Sequence, residues 1–287
     1  MPIKAYIELL KLKIGLMISL SAVMGYVAIA HTVHFSEIAL LVLAMVLGSA
    51  SASVLNHVWD RDIDILMERT QRRPFPTGTI NEPLYALLLA GGLLVAGIAL
   101  AMAVFNVVVA IHLFLGAFFY GVVYTIWLKR RTWLNIVIGG AAGSFAVLAG
   151  GAVVNPSNWL LPLLLAIVLF LWTPSHFWSL AILLKDDYAK AKLPMLPVLV
   201  GEATTAKAVL FNSVLMIIAA SMPWVLGQLG LTYAIGSSIL GAGLLWANWR
   251  MVKDPSRVWA KRNFIGSMQY LAGLFLAVLA DVHWGLS

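Results

Sequence analysis

Asn56, Asp60 and Asp64 stand four residues apart in the stretch 56–78, which reads NHVWDRDIDILMERTQRRPFPTG. Three of the chain's twelve acidic residues, Asp60, Asp62 and Asp64, fall within five positions of it, and Arg61, Arg69, Arg72 and Arg73 surround them. If the apolar helix before them continues, an amide and two carboxylates share one face within about 80° of arc, and Asp62 points elsewhere. At roughly 6 Å and an effective dielectric near 20, two ionised carboxylates repel by about 3 kcal/mol, so a cation between them is what keeps both charged. Hard oxygen donors of this kind suit Mg2+, which binds through one or two carboxylates together with substrate phosphates. Asn56, Asp60 and Asp64 are therefore candidate metal ligands for a diphosphate substrate. Arg69, Arg72 and Arg73 in the same loop, and Lys129, Arg130 and Lys190 in neighbouring ones, are candidate diphosphate contacts.

The surroundings of this stretch are apolar, so the molecule that carries the diphosphate is expected to carry a lipid tail, as a polyprenyl diphosphate does. Neutralising the leaving group lets the allylic C–O bond ionise, and aromatic faces stabilise the carbocation by roughly 0.5–2 kcal/mol each. Tyr120 and Tyr124, one turn apart, and Trp172, Phe177 and Trp178 are the candidates for that role. Of the six histidines, His176 stands out as an ionisable group inside an apolar run, eleven residues before Asp187, where polar groups tend to be functional. It is the candidate acceptor-site residue.

These residues are positioned by membrane-spanning helices. The chain has 287 residues, 62% of them hydrophobic and 11% charged, with mean hydropathy +0.94, and runs long enough to cross a hydrocarbon core recur throughout. The fold expected is an all-α polytopic membrane protein with nine spans, at about 14–33, 37–57, 83–103, 107–127, 134–154, 159–183, 207–227, 231–250 and 264–284. Every Lys and Arg then falls on the side of the N-terminus, which the positive-inside rule makes cytoplasmic. A bacterial cytoplasmic membrane fits the N-terminal region, which does not resemble a mitochondrial presequence. Lys4, Lys11 and Lys13 precede an apolar run ending in Ala28-Ile29-Ala30, as in a signal peptide, but the run exceeds the roughly 7–15 residues of such segments and is read as a span. The absence of cysteine excludes disulfides and thiolate chemistry. The pI near 9.7 reflects short basic loops and not a nucleic-acid surface.

Two basic-side loops, 58–82 and 184–206, are longer than the rest and also acidic. Their offset of four helices suggests a single domain of two pseudo-halves, about 1–130 and 131–287, with Asp60, Asp62 and Asp64 in one facing Asp186 and Asp187 in the other.

The pattern Asn56-xxx-Asp60-xx-Ile63-Asp64-xx-Met67-x-Arg69-Thr70-xx-Arg73-xxxx-Gly78 resembles the signature of the UbiA superfamily of intramembrane aromatic prenyltransferases. Three further stretches resemble one branch of it, the protoheme IX farnesyltransferases: Tyr124–Thr132 running into Asn135–Gly140, Trp172–Trp178, and Lys185–Tyr188 followed by Pro194–Pro197. The resemblance implies nine helices around a central cavity, with Asn56, Asp60, Asp64 and the second acidic cluster binding Mg2+ and farnesyl diphosphate. It implies haem b as acceptor: a farnesyl cation attacked by a haem vinyl group, then water. The substrates implied are thus farnesyl diphosphate and haem b in a lipid bilayer, and the partners haem A synthase or terminal-oxidase assembly proteins. The catalytic residues implied are Asp60, Asp64 and Tyr124, with His176, Trp172 and Trp178 at the haem acceptor site. Ser175 stands where the branch has a second proline, Phe145-Ala146 replaces a proline pair, and the doublet Asp186-Asp187 leaves open which of the two is a metal ligand. Two rival readings are a superfamily member with a quinone-ring acceptor and a cation channel or transporter. The first has the Trp172–Trp178 stretch against it, and the second has the acids gathered at one interface, apart from Glu37 and Asp281.

Overall fold

A computed structural model describes residues 3–285. Its elements are all helical: α1 (Ile3–Leu9), α2 (Leu12–Val27), α3 (Phe35–Trp59), α4 (Arg61–Asp64), α5 (Pro83–Val104), α6 (Val107–Phe118) running into a π-helix (Phe119–Leu128), α7 (Asn135–Gly139), α8 (Ala141–Val154), α9 (Leu160–Leu183), α10 (Lys185–Lys190), α11 (Leu196–Val225), α12 (Leu231–Lys253) and α13 (Arg257–Trp284). Each of the nine expected spans coincides with one of these helices or a continuous pair. By length and composition, seven among the described residues are able to cross a membrane. The two that fall short are α2, with only 16 residues, and α12, which is diluted by Gly236, Ser237, Ser238, Gly241, Gly243 and Asn248. The chain is a multi-pass membrane protein.

Helix ends follow local chemistry. Asn106 caps α6 by accepting from the amides of Val108 and Val109 at 3.0 and 3.1 Å. Pro83 sits in the first turn of α5, where a missing N–H costs nothing. The two acids on the side opposite the basic loops, Glu37 and Asp281, are structural. The Asp281 carboxylate accepts from the amides of Gly230 and Tyr233 at 2.6 and 2.9 Å, closing the start of α12, and Glu37 accepts from the Tyr26 hydroxyl at 2.6 Å.

The early and late helices meet backbone to backbone where α2 crosses α8. A Cβ on Gly25 would lie 2.0 Å from the Val147 carbonyl oxygen, and one on Gly150 would lie 1.8 Å from that of Ala22. Only glycine permits this approach, the way helices gain contact in lipid, where water drives nothing together. In α9 Pro174 interrupts the helical ladder. Ser175 beside it donates to the Val209 carbonyl at 3.2 Å and accepts from Asn212 and Ser213 at 2.7 and 2.9 Å, tying α9 to α11. The serine that departs from the branch pattern is thus the centre of a polar contact between two helices.

Candidate active site

Helix α3 closes at Asp60 (φ −87, ψ 1), where the short α4 begins at once. The Asp60 amide donates to the Asn56 carbonyl at 2.9 Å and that of Asp64 to the Asp60 carbonyl at 2.8 Å, so the three polar side chains stay one turn apart. All three are buried, Asp60 and Asp64 to 0% and 1% exposure, and Asp62 lies outside them on the surface. Each buried group is held by a cation. Arg73 Nη1 reaches both Asp64 oxygens at 2.9 and 2.7 Å, Lys129 Nζ bonds Asp60 Oδ2, and Lys11 Nζ donates to Asn56 Oδ1 at 2.7 Å. Asn56 Nδ2 in turn donates to Asp60 Oδ2 at 2.7 Å and Thr125 Oγ1 at 3.2 Å.

Lys129 arrives by way of the π-helix. Its amide donates to the Tyr124 carbonyl five residues back at 2.9 Å, and such a helix turns roughly 80° per residue against about 100° in an α-helix. Nine residues after Tyr120, that difference puts Lys129 within about 20° of the tyrosine's face; in an α-helix it would point the opposite way. Tyr120, Tyr124 and Lys129 therefore line one wall. The two tyrosine rings stack at 5.8 Å and 9°. Gly139 makes room for them, since a Cβ there would lie 2.8 Å from Tyr124 Cδ2. Asn135 donates to the Thr132 carbonyl and braces the loop that follows the π-helix.

Beside these groups lies a cavity of about 480 Å3, lined on its polar side by Lys11, Asn56, Asp64, Arg69, Arg73 and Lys129, with Asp60 buried behind them. Its apolar side is made by Tyr120, Tyr124, Ile136, Tyr188 and one face of α9, Thr173, Phe177, Leu180 and Leu184. Beyond Tyr120 a narrower crevice runs between α2, α3, α6 and α8 past Gly48, Ala52, Gly116, Ala117, Ala142 and Ala146 to His112.

Several expected residues take other places. Arg130 forks onto Asp62, with both nitrogens at 2.7 Å, and donates to the Trp59 carbonyl. This pairing, mainly through the hydrogen bond, holds the Asp62 carboxyl below the usual carboxylate range. Lys190 is exposed on α10 and lies outside the cavity lining. The acidic doublet divides. The Asp187 carboxylate accepts from the amides of Glu68 and Arg69, both at 3.3 Å, closing the second loop onto the first. The Asp186 side chain is 81% exposed and lies 3.8 Å from Arg257.

Trp172, His176 and Trp178 do not line the cavity, because the helical period turns them away from the Thr173–Phe177 face. His176 is sandwiched between Trp172 and Phe264, with ring centroids at 4.2 and 4.5 Å, and its Nδ1 is 2.8 Å from Ser267 Oγ. Trp178 is buried against Trp133.

Lys11 is the cavity residue that sequence reasoning assigned to topology alone. It sits between α1 and α2 in the left-handed region, φ 46 and ψ 49, a conformation that turns its side chain inward at a helix break. Burial, reinforced by Arg73 and Lys129, pushes its ammonium down to about 7. No spacing rule links it to Asn56, which lies 45 residues later.

The donor set fits a hard divalent ion. Asp60 Oδ1 is buried without a hydrogen-bond partner, its nearest cation being Arg130 Nη2 at 3.8 Å, an oxygen with an open ligand position in a site of carboxylate and amide oxygens. Among the described residues no three Asp, Glu or His side chains converge, so a divalent ion here would need oxygen ligands from outside the protein.

Residues 18–278 match the sequence model of the UbiA prenyltransferase family. Over 284 residues, covering 99% of this chain and 100% of the relative, the sequence is 58% identical to protoheme IX farnesyltransferase 1 of Paramagnetospirillum magneticum. A solved digeranylgeranylglyceryl phosphate synthase superposes with TM-score 0.81 at 21% identity, covering 98% of each chain. A UbiA homologue from Archaeoglobus fulgidus, bound to DMAPP and Mg2+, superposes with TM-score 0.75 at 20% identity, covering 96% of this chain and 99% of that one.

Proposed function

The chain belongs to the UbiA prenyltransferase family, and from that premise we propose that it transfers a farnesyl group from farnesyl diphosphate to a vinyl group of protoheme IX. The observation that carries the reading is the polarity of one cavity: lysines and arginines with the Asp64 carboxylate at one wall, Asp60 buried behind it against Lys129, and tyrosine faces and aliphatic surface at the other. The diphosphate lies against Lys11, Arg69, Arg73 and Lys129. Asn56, Asp60 and Asp64, with Asp187 closing the loop above them, would hold the divalent ion, Mg2+ in this reading, and that ion would neutralise charge on the departing diphosphate.

The prenyl chain runs past Tyr120 into the crevice of small residues, its allylic end beside the stacked Tyr120 and Tyr124 rings. As the C–O bond to diphosphate breaks, positive charge spreads over the allyl carbons, where each ring face is worth roughly 0.5–2 kcal/mol. The terminal carbon of the haem vinyl group supplies the electron pair for the new C–C bond. Water adds to the carbon beside the pyrrole ring and gives up a proton, leaving a hydroxyl. The acceptor rests against the Thr173–Phe177–Leu180–Leu184 face of α9. His176, stacked outside that face, supports α9 against α13.

The basic ends of the helices face the cytoplasm of a bacterial cell, which puts the cavity mouth on the side where a soluble diphosphate is supplied. A haem-modifying enzyme of this kind hands its product to haem A synthase or an oxidase assembly protein.

Incubating the purified chain with protoheme IX, farnesyl diphosphate and Mg2+ is expected to give a heavier haem carrying a hydroxyethylfarnesyl group, seen by mass spectrometry. Transfer to a quinone-ring acid with protoheme IX untouched would move the assignment to another branch. Ala117→Leu, which fills the crevice, is expected to shift preference toward geranyl diphosphate; an unchanged preference would remove the tail from that crevice.

A further inference from the structure

The basic ends of α12 and α13 carry a cluster that the cavity does not use. Between Trp246 and Arg262 stand five basic residues and one acid, Asp254. Arg257 lies 3.8 Å from Asp186; among the described residues Arg250, Lys253 and Arg262 pair with no carboxylate and sit on indole rings instead. The Arg250 guanidinium is 4.8 Å from the Trp259 centroid and 5.8 Å from that of Trp246, and the Arg262 guanidinium is also 4.8 Å from Trp259. Lys253 stands 5.8 Å over Trp249. Two guanidinium groups on one ring are separated by at most about twice that 4.8 Å. An indole face attracts each of them but neutralises neither, and their N–H edges are left for an anion.

A groove of about 580 Å3 runs from this cluster toward the middle of the membrane, between Ile239 and Leu240 on α12 and Ile265 on α13. Gly243 and Gly266 keep it open, because a Cβ on either would meet nothing within 4 Å. From Arg262 to Tyr270 it spans two turns of α13, about 12 Å. Arg262 in its lining, Arg250 stacked on the lining rings Trp246 and Trp259, and an aliphatic trough beneath match a molecule with an anionic head and a hydrocarbon chain.

We propose that this groove binds one anionic phospholipid, its phosphate at Arg250 and Arg262 and one acyl chain along Gly243 and Gly266. A zwitterionic lipid offers the same chain but brings an ammonium among the cations. A free phosphate offers the same anion but leaves the trough unfilled.

The test is native mass spectrometry of the full chain in detergent, titrated with phosphatidylglycerol, phosphatidylcholine or inorganic phosphate. The expected result is retention of one phosphatidylglycerol with a preference of about tenfold or more over phosphatidylcholine. Arg250→Gln with Arg262→Gln should bring that preference close to parity. Gly243→Leu should weaken retention of the lipid. Both variants should keep the helix content and prenyl transfer of the parent, since neither touches the cavity. Equal retention of the two lipids by the parent, an unchanged preference in the double variant, or displacement of the lipid by inorganic phosphate at similar concentration would overturn the proposal. If the double variant fails to fold, Gly243→Leu alone decides: undiminished retention of phosphatidylglycerol overturns the site.

Discussion

The two acidic regions of the molecule look alike as sequence and differ as structure. In the first, Asp60 and Asp64 lie at 0% and 1% exposure, each tied to a basic side chain that reaches the same cavity. In the second, Asp186 is 81% exposed and points to Arg257, while Asp187 accepts two backbone amides of the first region's loop. The first region is a buried charge system whose members depend on one another; the second is a latch that holds the first closed. A buried carboxylate deprived of its partner costs about 3–5 kcal/mol, whereas an exposed pair is worth about 0–1 kcal/mol. The two regions should therefore respond to mutation on different scales.

The largest effect is expected for Asp60→Asn or Asp64→Asn, a loss of about 10²–10³ in kcat/KM, the scale for removing one preorganised charge-stabilising group. Asp186→Asn should stay within about twofold of the parent, as expected for a surface charge. Turnover of purified variants with matched helix content checks this, and a loss at Asp186 as large as at Asp64 would erase the distinction. Lys129→Met should follow, raising the KM for farnesyl diphosphate by roughly tenfold or more, with Arg130→Met changing it only a few-fold, because Arg130 bonds Asp62 and stands off Asp60 at 3.8 Å. A larger effect at Arg130 than at Lys129 would mean that the π-helix does not aim Lys129 as described.

Asp187→Asn comes next. Loss of a charge-assisted contact worth about 1.5–3 kcal/mol predicts roughly tenfold lower activity together with faster tryptic cleavage at Arg69 and Arg72, since the latch no longer holds their loop. Unchanged cleavage would mean that the loop closes without it. The smallest effect belongs to Asp62→Asn, with stability altered by no more than about 1 kcal/mol. The folded-state value of the Asp62 carboxyl lies below its unfolded one. Its contribution is therefore present above the ordinary carboxylate range and fades as pH falls through the depressed value. An acid titration of parent and variant should converge there.

What the sequence made legible, and what it did not, follows the same division. The four-residue spacing of Asn56, Asp60 and Asp64 carried over into space because, although α3 gives way to α4 at Asp60, the Asp60 and Asp64 amides each still bond the carbonyl four residues back. Apolar runs placed most helices to within a few residues, the largest shift being α11, whose bounds reach back to Leu196 because a short first segment precedes a break at Gly201 (φ 78, ψ 171). Lys129 and Arg130 were indistinguishable as neighbours in sequence, since only a π-helix sends one inward and leaves the other to Asp62. Asp186 and Asp187 were equally ambiguous, because a doublet on a short helix divides according to what stands opposite it. Lys11 went unnoticed since its approach to Asn56 rests on a left-handed residue at a helix break. His176, Trp172 and Trp178 were grouped by chemistry, yet the period of α9 turns Thr173 and Phe177 to the cavity in their place.

The most direct measurement is calorimetric titration of farnesyl thiodiphosphate, which resists ionisation, into the purified chain with Mg2+ present. The parent and Asp186→Asn should bind it with equal affinity, Asp187→Asn about tenfold more weakly, and Asp64→Asn should give no measurable heat. Equal binding by all four proteins would contradict the account, for the buried carboxylates and their cations would then not be the diphosphate site.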